Sequence, residues 1–289
     1  MSDVHVLISP DAGRGRTAGT SDDVLDHLRA LGAHVIDISG ASVEGSQNNA
    51  REAVAGGAKR LIVLGGDGIM HIGLQAVAGT GTVLGVIPIG TGNDFARGLE
   101  WIPDDPVEAA AVALHDPMAL DALRCGNHWV ASVATAGFSS DVNERANRLS
   151  RPKGPSRYTV ATILQLPQLT ARSLRLDIDG EVITHAATRL AVANTAWFGG
   201  GMHIAPDADP TDGYLDITVV ADVGRLELLR FFSRVFNGTH MSHPKVHGYR
   251  GQSVRVATDE PLVLWGDGEF LGPTPCTIES VPGALQIAR

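Results

Sequence analysis

The sequence predicts an α/β, Rossmann-like N-terminal domain over residues 1–120, joined to a mainly antiparallel β-sandwich C-terminal domain over 121–289. Three observations carry that expectation. Up to about Leu120, short apolar runs alternate with segments of helical period, the pattern of a parallel sheet with crossover helices. After Leu120, alternating runs break at Gly126-Asn127 and Asp179-Gly180, dipeptides suited to tight hairpins. Glycine supplies 34 of the 289 residues with no collagen-like period, and much of the excess falls in predicted turns.

In chain order, Val4 to Ile8 reads as a strand, followed by a Gly-rich turn at Gly13 to Thr17. Ser21 caps a helix with an apolar face of Val24, Leu25, Leu28 and Leu31, closed by Gly32. Then come a strand at Ala33 to Ile38, a helix at Asn49 to Ala55, a buried strand at Leu61 to Leu64 and a helix at Ile69 to Ala78. A strand at Val83 to Ile87 and a helix at Pro106 to Leu114, with Pro at its start, complete the first domain. In the second, Leu123 to Val133 and Leu174 to Ala193 form hairpins. Further strands are expected at Tyr214 to Val220, Ser253 to Ala257, Leu262 to Trp265 and Thr277 to Val281, with helical interruptions at Asp141 to Leu169 and Arg225 to Phe236.

Composition removes several function classes. With 44% hydrophobic residues the chain is too apolar to be disordered. A net charge of −9 argues against a nucleic-acid binder that works by bulk phosphate neutralisation. The two cysteines, Cys125 and Cys276, are too few for a disulfide framework or a four-thiolate zinc site, which fits a reducing compartment and a cytoplasmic protein. The N-terminus has no basic segment followed by a long apolar one, so no export signal is expected. No run approaches the roughly 18–20 apolar residues of a spanning helix, so membrane contact would be peripheral.

Four strings carry chemistry. Leu61-Ile-Val-Leu-Gly-Gly-Asp-Gly68 ends a strand in glycines just before a helix. Backbone N–H groups and a helix N-terminus can there close on phosphate oxygens, with Asp67 orienting a metal or its water, or simply capping the turn. Val86-Ile-Pro-Ile-Gly-Thr-Gly-Asn-Asp-Phe-Ala-Arg97 repeats the arrangement, and two such loops at the carboxyl ends of strands in one sheet face a common crevice. Thr91 and Asn93 offer hydrogen bonds to phosphate; Asp94 is a second acid of a metal and water network, or an N-cap. Ile204 to Ile217 packs acids into a turn that suits Mg²⁺ or, equally, a solvated Asx turn. Trp265-Gly-Asp-Gly-Glu-Phe270 sets two carboxylates two residues apart, suited to a general base or to a plain hairpin. There is no G-x-x-x-x-G-K-[ST], and Gly13, Gly15 and Gly19 do not spell G-x-G-x-x-G, which disfavours a P-loop NTPase and an ordinary NAD dehydrogenase.

Together these strings resemble the diacylglycerol kinase catalytic family, which includes bacterial soluble lipid kinases and sphingosine kinases. Ser9-Pro-x-x-Gly13, Gly65-Gly-Asp-Gly68, Pro88-x-Gly-Thr-Gly-Asn-Asp-Phe-Ala-Arg97, Asp212-Gly-Tyr-Leu-Asp216, Gly238-Thr-His-x-x-His-Pro-Lys-Val246 and Asp267-Gly-Glu269 occur in the family's order over nearly the whole chain. The resemblance implies a nucleotide-binding α/β domain and a β-sandwich that enclose ATP and a lipid head. By it, Ser9, Pro10, Asp11, Ala12 and Gly13, then Gly65, Gly66, Asp67, Gly68 and Ile69 on to Ile72, and Gly90, Thr91, Gly92 and Asn93 would form the ATP site. Asp212, with carbonyls of Asp209 and Tyr214, would match a structural Mg²⁺ site, and Asp67 and Asp94 would join the metal and water network at the phosphates. Glu269 stands at the position of the proton acceptor with Asp267 beside it, and the resemblance leaves open which acid takes the proton.

The chain departs from the family's pattern at Ser9 and Arg14, where Asn and Lys are usual, and at Ile69 and Ile72, where Thr and Glu are usual. The implied activity is ATP- and Mg²⁺-dependent phosphorylation of diacylglycerol. The alternatives are a sphingoid-base or ceramide kinase, a NAD kinase-like phosphotransferase, and a non-catalytic nucleotide-regulated lipid binder. Residues 144–157 carry Arg145, Arg148, Arg151, Lys153 and Arg157 against Glu144, a local charge of +4, followed by an apolar stripe of Tyr158, Val160, Ile163, Leu164, Leu166 and Leu169. That pairing suits transient docking on an anionic membrane surface, or a core helix beside a solvated loop. His240, His243 and His247 read as loop or pocket residues ahead of a zinc site. The family contains homodimers, and no feature of the sequence establishes one here.

Overall fold

The computed structural model describes residues 3–9, 20–149, 151 and 156–289. The chain divides into two compact units, one of residues 1–122 with Pro282–Arg289, the other Leu123–Val281. The sequence reading assigned 121–289 to one domain; the last eight residues belong instead to the first unit.

The first unit contains β1 (Asp3–Ile8), α1 (Thr20–Ala30), β2 (His34–Asp37), α2 (Val43–Ala55), β3 (Arg60–Gly65), α3 (Asp67–Val77), β4 (Val83–Pro88), α4 (Asp94–Gly98), α5 (Pro106–Val112) and most of β5 (Pro117–Cys125). Its parallel sheet runs β2-β1-β3-β4. Val24, Leu25 and Leu28 of α1 and Ala109, Ala110 and Ala113 at α5 pack on Val4, Val6, Ile62, Leu64 and Ile87. Leu31, predicted on that apolar face, is 49% exposed because α1 ends at Ala30 and Gly32 turns the chain at φ +90°. β3 and β4 are buried almost throughout, as strands covered on both faces are. α2 starts six residues before the predicted Asn49: Ser42 caps it, accepting from the Gly45 N–H at 3.1 Å, and Ser46 is buried, its Oγ accepting from the Gly40 N–H.

The second unit continues with β6 (His128–Val130), β7 (Val133–Gly137), α6 (Phe138–Arg148), α7 (Ser156–Gln165), a 3₁₀ turn (Leu166–Gln168), β8 (Arg172–Ile178), β9 (Glu181–Ala193), β10 (Trp197–Phe198), β11 (Met202–His203), β12 (Leu215–Ala221), α8 (Arg225–Phe236), β13 (Val246–Gly251), β14 (Ser253–Thr258), β15 (Val263–Gly266), β16 (Glu269–Pro273) and β17 (Cys276–Ala288). Its strand pairs are antiparallel. β9 organises the sheet: residues 181–187 pair with β8, while its second half lies between β7 and β12. That second half is buried on both faces, against a strand core on one side and a helix-lined core on the other. The latter brings Val142 and Ala146 of α6, Ala161 of α7 and Leu228, Phe231 and Val235 of α8 onto the sheet.

Two turns are alike. Asp179-Gly180 and Asp267-Gly268 each hold both residues at positive φ, the type I′ geometry that matches strand twist. In both, the Asp carboxylate accepts backbone N–H groups from another segment; Asp179 takes those of Gln252 and Ser253 at 2.8 and 2.9 Å. β17 overruns its predicted end at Val281. Gly283 takes φ +64° after Pro282, its N–H donates to Asp121 Oδ1 at 2.8 Å, and Gln286 and Ile287 then pair in parallel with β4. Cys125 and Cys276, too few for a disulfide framework, are nonetheless joined as one disulfide at the ends of β5 and β17, which removes the sequence's argument for a reducing compartment.

Candidate active site

Three β-strand ends of the first unit converge. The Ser9 N–H donates to the Leu64 carbonyl and the Ile89 N–H to the Gly65 carbonyl, each at 3.0 Å, so the chain leaving β1, β3 and β4 stays in register past the sheet. A Cβ on Gly90 would sit 2.6 Å from Gly66 Cα and 2.7 Å from Asn93 Oδ1, and one on Gly65 would sit 2.4 Å from Ile69 Cγ2. Only glycine permits the two loops to lie backbone to backbone. Gly68 faces open space.

Asp67 opens α3, and its Oδ1 accepts the Asp94 N–H at 2.8 Å, so the acid of the first loop caps the short helix of the second. Asn93 stands in the left-handed region and donates from Nδ2 to the Gly90 carbonyl at 2.9 Å. Gly90, Thr91, Gly92, Asn93 and Arg97 line a cleft of about 630 Å³ with the exposed Thr91 at its edge. Ile69 and Ile72, where the family usually has Thr and Glu, are each 6% exposed and belong to the core. Of the predicted phosphate residues, Ser9, Gly65–Ile69 and Gly90–Asn93 are thus brought together. Pro10, Asp11, Ala12 and Gly13, with the predicted turn through Thr17, lie outside the described residues.

In the second unit the two hairpin acids are unlike. The Asp267 carboxylate is enclosed: Oδ2 accepts the Ala131 N–H at 2.6 Å, and Oδ1 accepts those of Ser132 and Val133 at 3.0 and 3.3 Å. Burial raises its pKa to about 6 against the opposing pull of those donors. Glu269, two residues on, is exposed at the start of β16, beside the 53%-exposed Phe270. The sequence reading missed Asn194, which is buried and holds the same 131–133 segment. Its Nδ2 donates to the Ala131 carbonyl and its backbone N–H to that of Ser132, both at 2.8 Å. A polar residue straight after the apolar run Leu190–Ala193 was the available signal.

Asp209, Asp212 and Tyr214 do not fit a resident Mg²⁺. Asp212 Oδ1 accepts the Tyr214 N–H at 2.9 Å, and its Oδ2 pairs with the Arg250 guanidinium, which lies 4.6 Å over the Tyr214 ring. Asp209 Oδ1 accepts from the Thr211 N–H and hydroxyl at 2.9 and 2.7 Å. An arginine already supplies the positive charge that the expected ion would bring. The nearby Asp216 has its pKa raised by burial and by Asp207 and Asp209. The three histidines diverge: His240 is fully buried on the Ile204 carbonyl, His243 lies 3.6 Å from Glu227, and His247 stacks on His185. Among the described residues no three His, Cys, Asp or Glu gather as metal ligands.

A parallel sheet with paired glycine loops, and an antiparallel unit carrying an Asp-Gly-Glu hairpin, define a two-domain protein of the diacylglycerol kinase type. Residues 3–125 match the diacylglycerol kinase catalytic domain and residues 132–289 the YegS C-terminal NAD kinase beta sandwich-like domain. The chain belongs to the diacylglycerol kinase family. A diacylglycerol kinase of Mycobacterium tuberculosis is 36% identical over 99% of this chain and 94% of its own length. One of Staphylococcus saprophyticus is 28% identical over 94% and 90%. The fold matches the crystal structure of a diacylglycerol kinase from Bacillus anthracis with a TM-score of 0.76, at 20% identity, covering 99% of this chain and 96% of that one.

Proposed function

We propose that the protein is a lipid kinase that transfers the γ-phosphate of ATP, brought in with Mg²⁺, to the hydroxyl of diacylglycerol, giving phosphatidic acid. The observation that carries this reading is the contact of Gly66 with Gly90, which sets two N–H-rich turns side by side at the carboxyl end of the first unit's sheet. The loops at Ser9, Gly65–Ile69 and Gly90–Asn93 hold the phosphates, and Asp67 and Asp94 fix the loops to each other. Glu269 is the base. Asp267 spends both oxygens on three backbone donors, whereas Glu269 is exposed on the turn that Asp267 anchors. The hydroxyl oxygen attacks the γ-phosphorus, its proton passes to Glu269, and the bond to the β–γ bridging oxygen breaks to release ADP.

Burial of Ile69 and Ile72 favours a working enzyme over a non-catalytic lipid binder, because both departures lie in the core beneath the loops. This reading includes a protein that meets an anionic membrane surface peripherally during turnover; among the described residues no helix is long and apolar enough to cross a membrane. The test supplies γ-labelled ATP with diacylglycerol, a sphingoid base, ceramide or NAD and extracts into organic and aqueous phases. Label in the organic phase with diacylglycerol is expected. Label on NAD alone, or on no acceptor, overturns the reading.

A further inference from the structure

The second unit carries an open groove of about 680 Å³ along α8 that no step of the reaction uses. Arg225, Arg230, Arg234 and His243 line it, Phe231 forms its floor, and Glu227 is its one carboxylate. Glu227 is already engaged: its Oε2 pairs with Lys245 at 2.8 Å, and its Oε1 lies 3.6 Å from His243. Arg225 is held by the Pro167 carbonyl at 2.6 Å. Arg230 and Arg234 are exposed, and among the described residues neither has a carboxylate partner, unlike Arg29, Arg124, Arg148, Arg172 and Arg250. In a chain of net charge −9, two neighbouring guanidinium groups with no carboxylate partner among the described residues, on a rigid helix, are a local inversion of sign. The helix is rigid because Leu228, Phe231 and Val235 are buried beneath it.

We propose that this groove binds the phosphate groups of an anionic lipid bilayer. Arg230 and Arg234, four residues apart, stand about 5–6 Å from each other at Cβ and present planar donors that fit phosphate oxygens in pairs. Phe236, 49% exposed at the end of the same helix, supplies an apolar group for the headgroup boundary, which a site for free phosphate would not need. In the basic segment seen in the sequence, Arg148 pairs with Glu144 and Arg145 donates to Gln165, Arg151 is exposed, and Lys153 lies outside the described residues. The inference rests on the lipid-kinase reading and names the surface through which the enzyme meets its substrate.

The test is sedimentation with phosphatidylcholine vesicles, with and without phosphatidylglycerol. Arg230→Ala/Arg234→Ala should lower partition onto the anionic vesicles about 30-fold. Arg230→Lys/Arg234→Lys should keep most of it, and thermal unfolding should match wild type in both. Equal partition by wild type and the Ala pair overturns the inference. So does a wild type that is stabilised by inorganic phosphate but does not bind the vesicles. Turnover of a monomeric short-chain diacylglycerol separates the two readings: its absence in wild type sinks the kinase and leaves the vesicle result to decide the groove.

Discussion

The backbone N–H of Asp94 donates to the Asp67 carboxylate at 2.8 Å, so the acid of the first glycine loop holds the second loop in place. Asp67→Asn keeps an acceptor for that bond and removes the charge, whereas Asp67→Ala removes both. Asp67→Ala should lose about 1 kcal/mol of stability in urea unfolding, the usual loss for a helix cap. Asp67→Asn should stay near wild type in that measurement, while phosphate transfer falls to background in both.

Gly90 and Gly68 make a matched pair. A methyl at Gly90 meets Gly66 Cα and Asn93 Oδ1, and a methyl at Gly68 meets nothing. Gly90→Ala should raise KM for ATP at least tenfold by parting the loops, and Gly68→Ala should leave it within a factor of about two. Steady-state kinetics at saturating lipid would decide it, and equal effects would show that loop contact does not shape the site.

Asp267 and Glu269 should separate in a pH series. The Asp267 carboxyl is raised from 3.8 to about 6, so its protonated form is favoured in the folded state. The stability it contributes is complete below pH 3.8 and is lost as pH rises through about 6. The stability of wild type relative to Asp267→Asn should therefore fall across that window and stay flat above it, as read from urea midpoints. Glu269→Gln, at an exposed position, should unfold like wild type and lose 10²- to 10⁴-fold in turnover, the usual weight of a general base.

Arg250 predicts an indifference. Because its guanidinium already faces Asp212, the melting temperature of wild type should not move between EDTA and millimolar Mg²⁺. Arg250→Ala leaves Asp207, Asp209, Asp212 and Asp216 without that charge, and its melting temperature should rise when Mg²⁺ is added. A wild type stabilised by Mg²⁺ would mean that the arginine yields its place to the ion.

What the sequence made legible was local. Asp179-Gly180 and Asp267-Gly268 read as hairpins because the φ > 0 requirement of the turn is met by those two residues alone. The glycine loops read as phosphate sites because residues without a Cβ let backbone N–H groups approach a ligand and each other. What it hid depended on partners far along the chain: Arg250 on Asp212, Asn194 on Ala131, and Cys125 on Cys276. Pro282-Gly283 misled, since a Pro-Gly pair marks a stop by its own chemistry, yet the Asp121 carboxylate takes the freed N–H and the strand goes on.

That continuation bears on the order in which the protein is made. Gln286 and Ile287 lie beside Val83 and Leu84, so one strand of the first unit is translated some two hundred residues after its neighbour. The first 122 residues emerge from the ribosome with the outer edge of β4 uncovered, and they must wait while the whole of Leu123–Val281 is synthesised before that edge is sealed. The second unit, by contrast, is contiguous and can condense as it emerges. The first unit is therefore completed only after the second has been made.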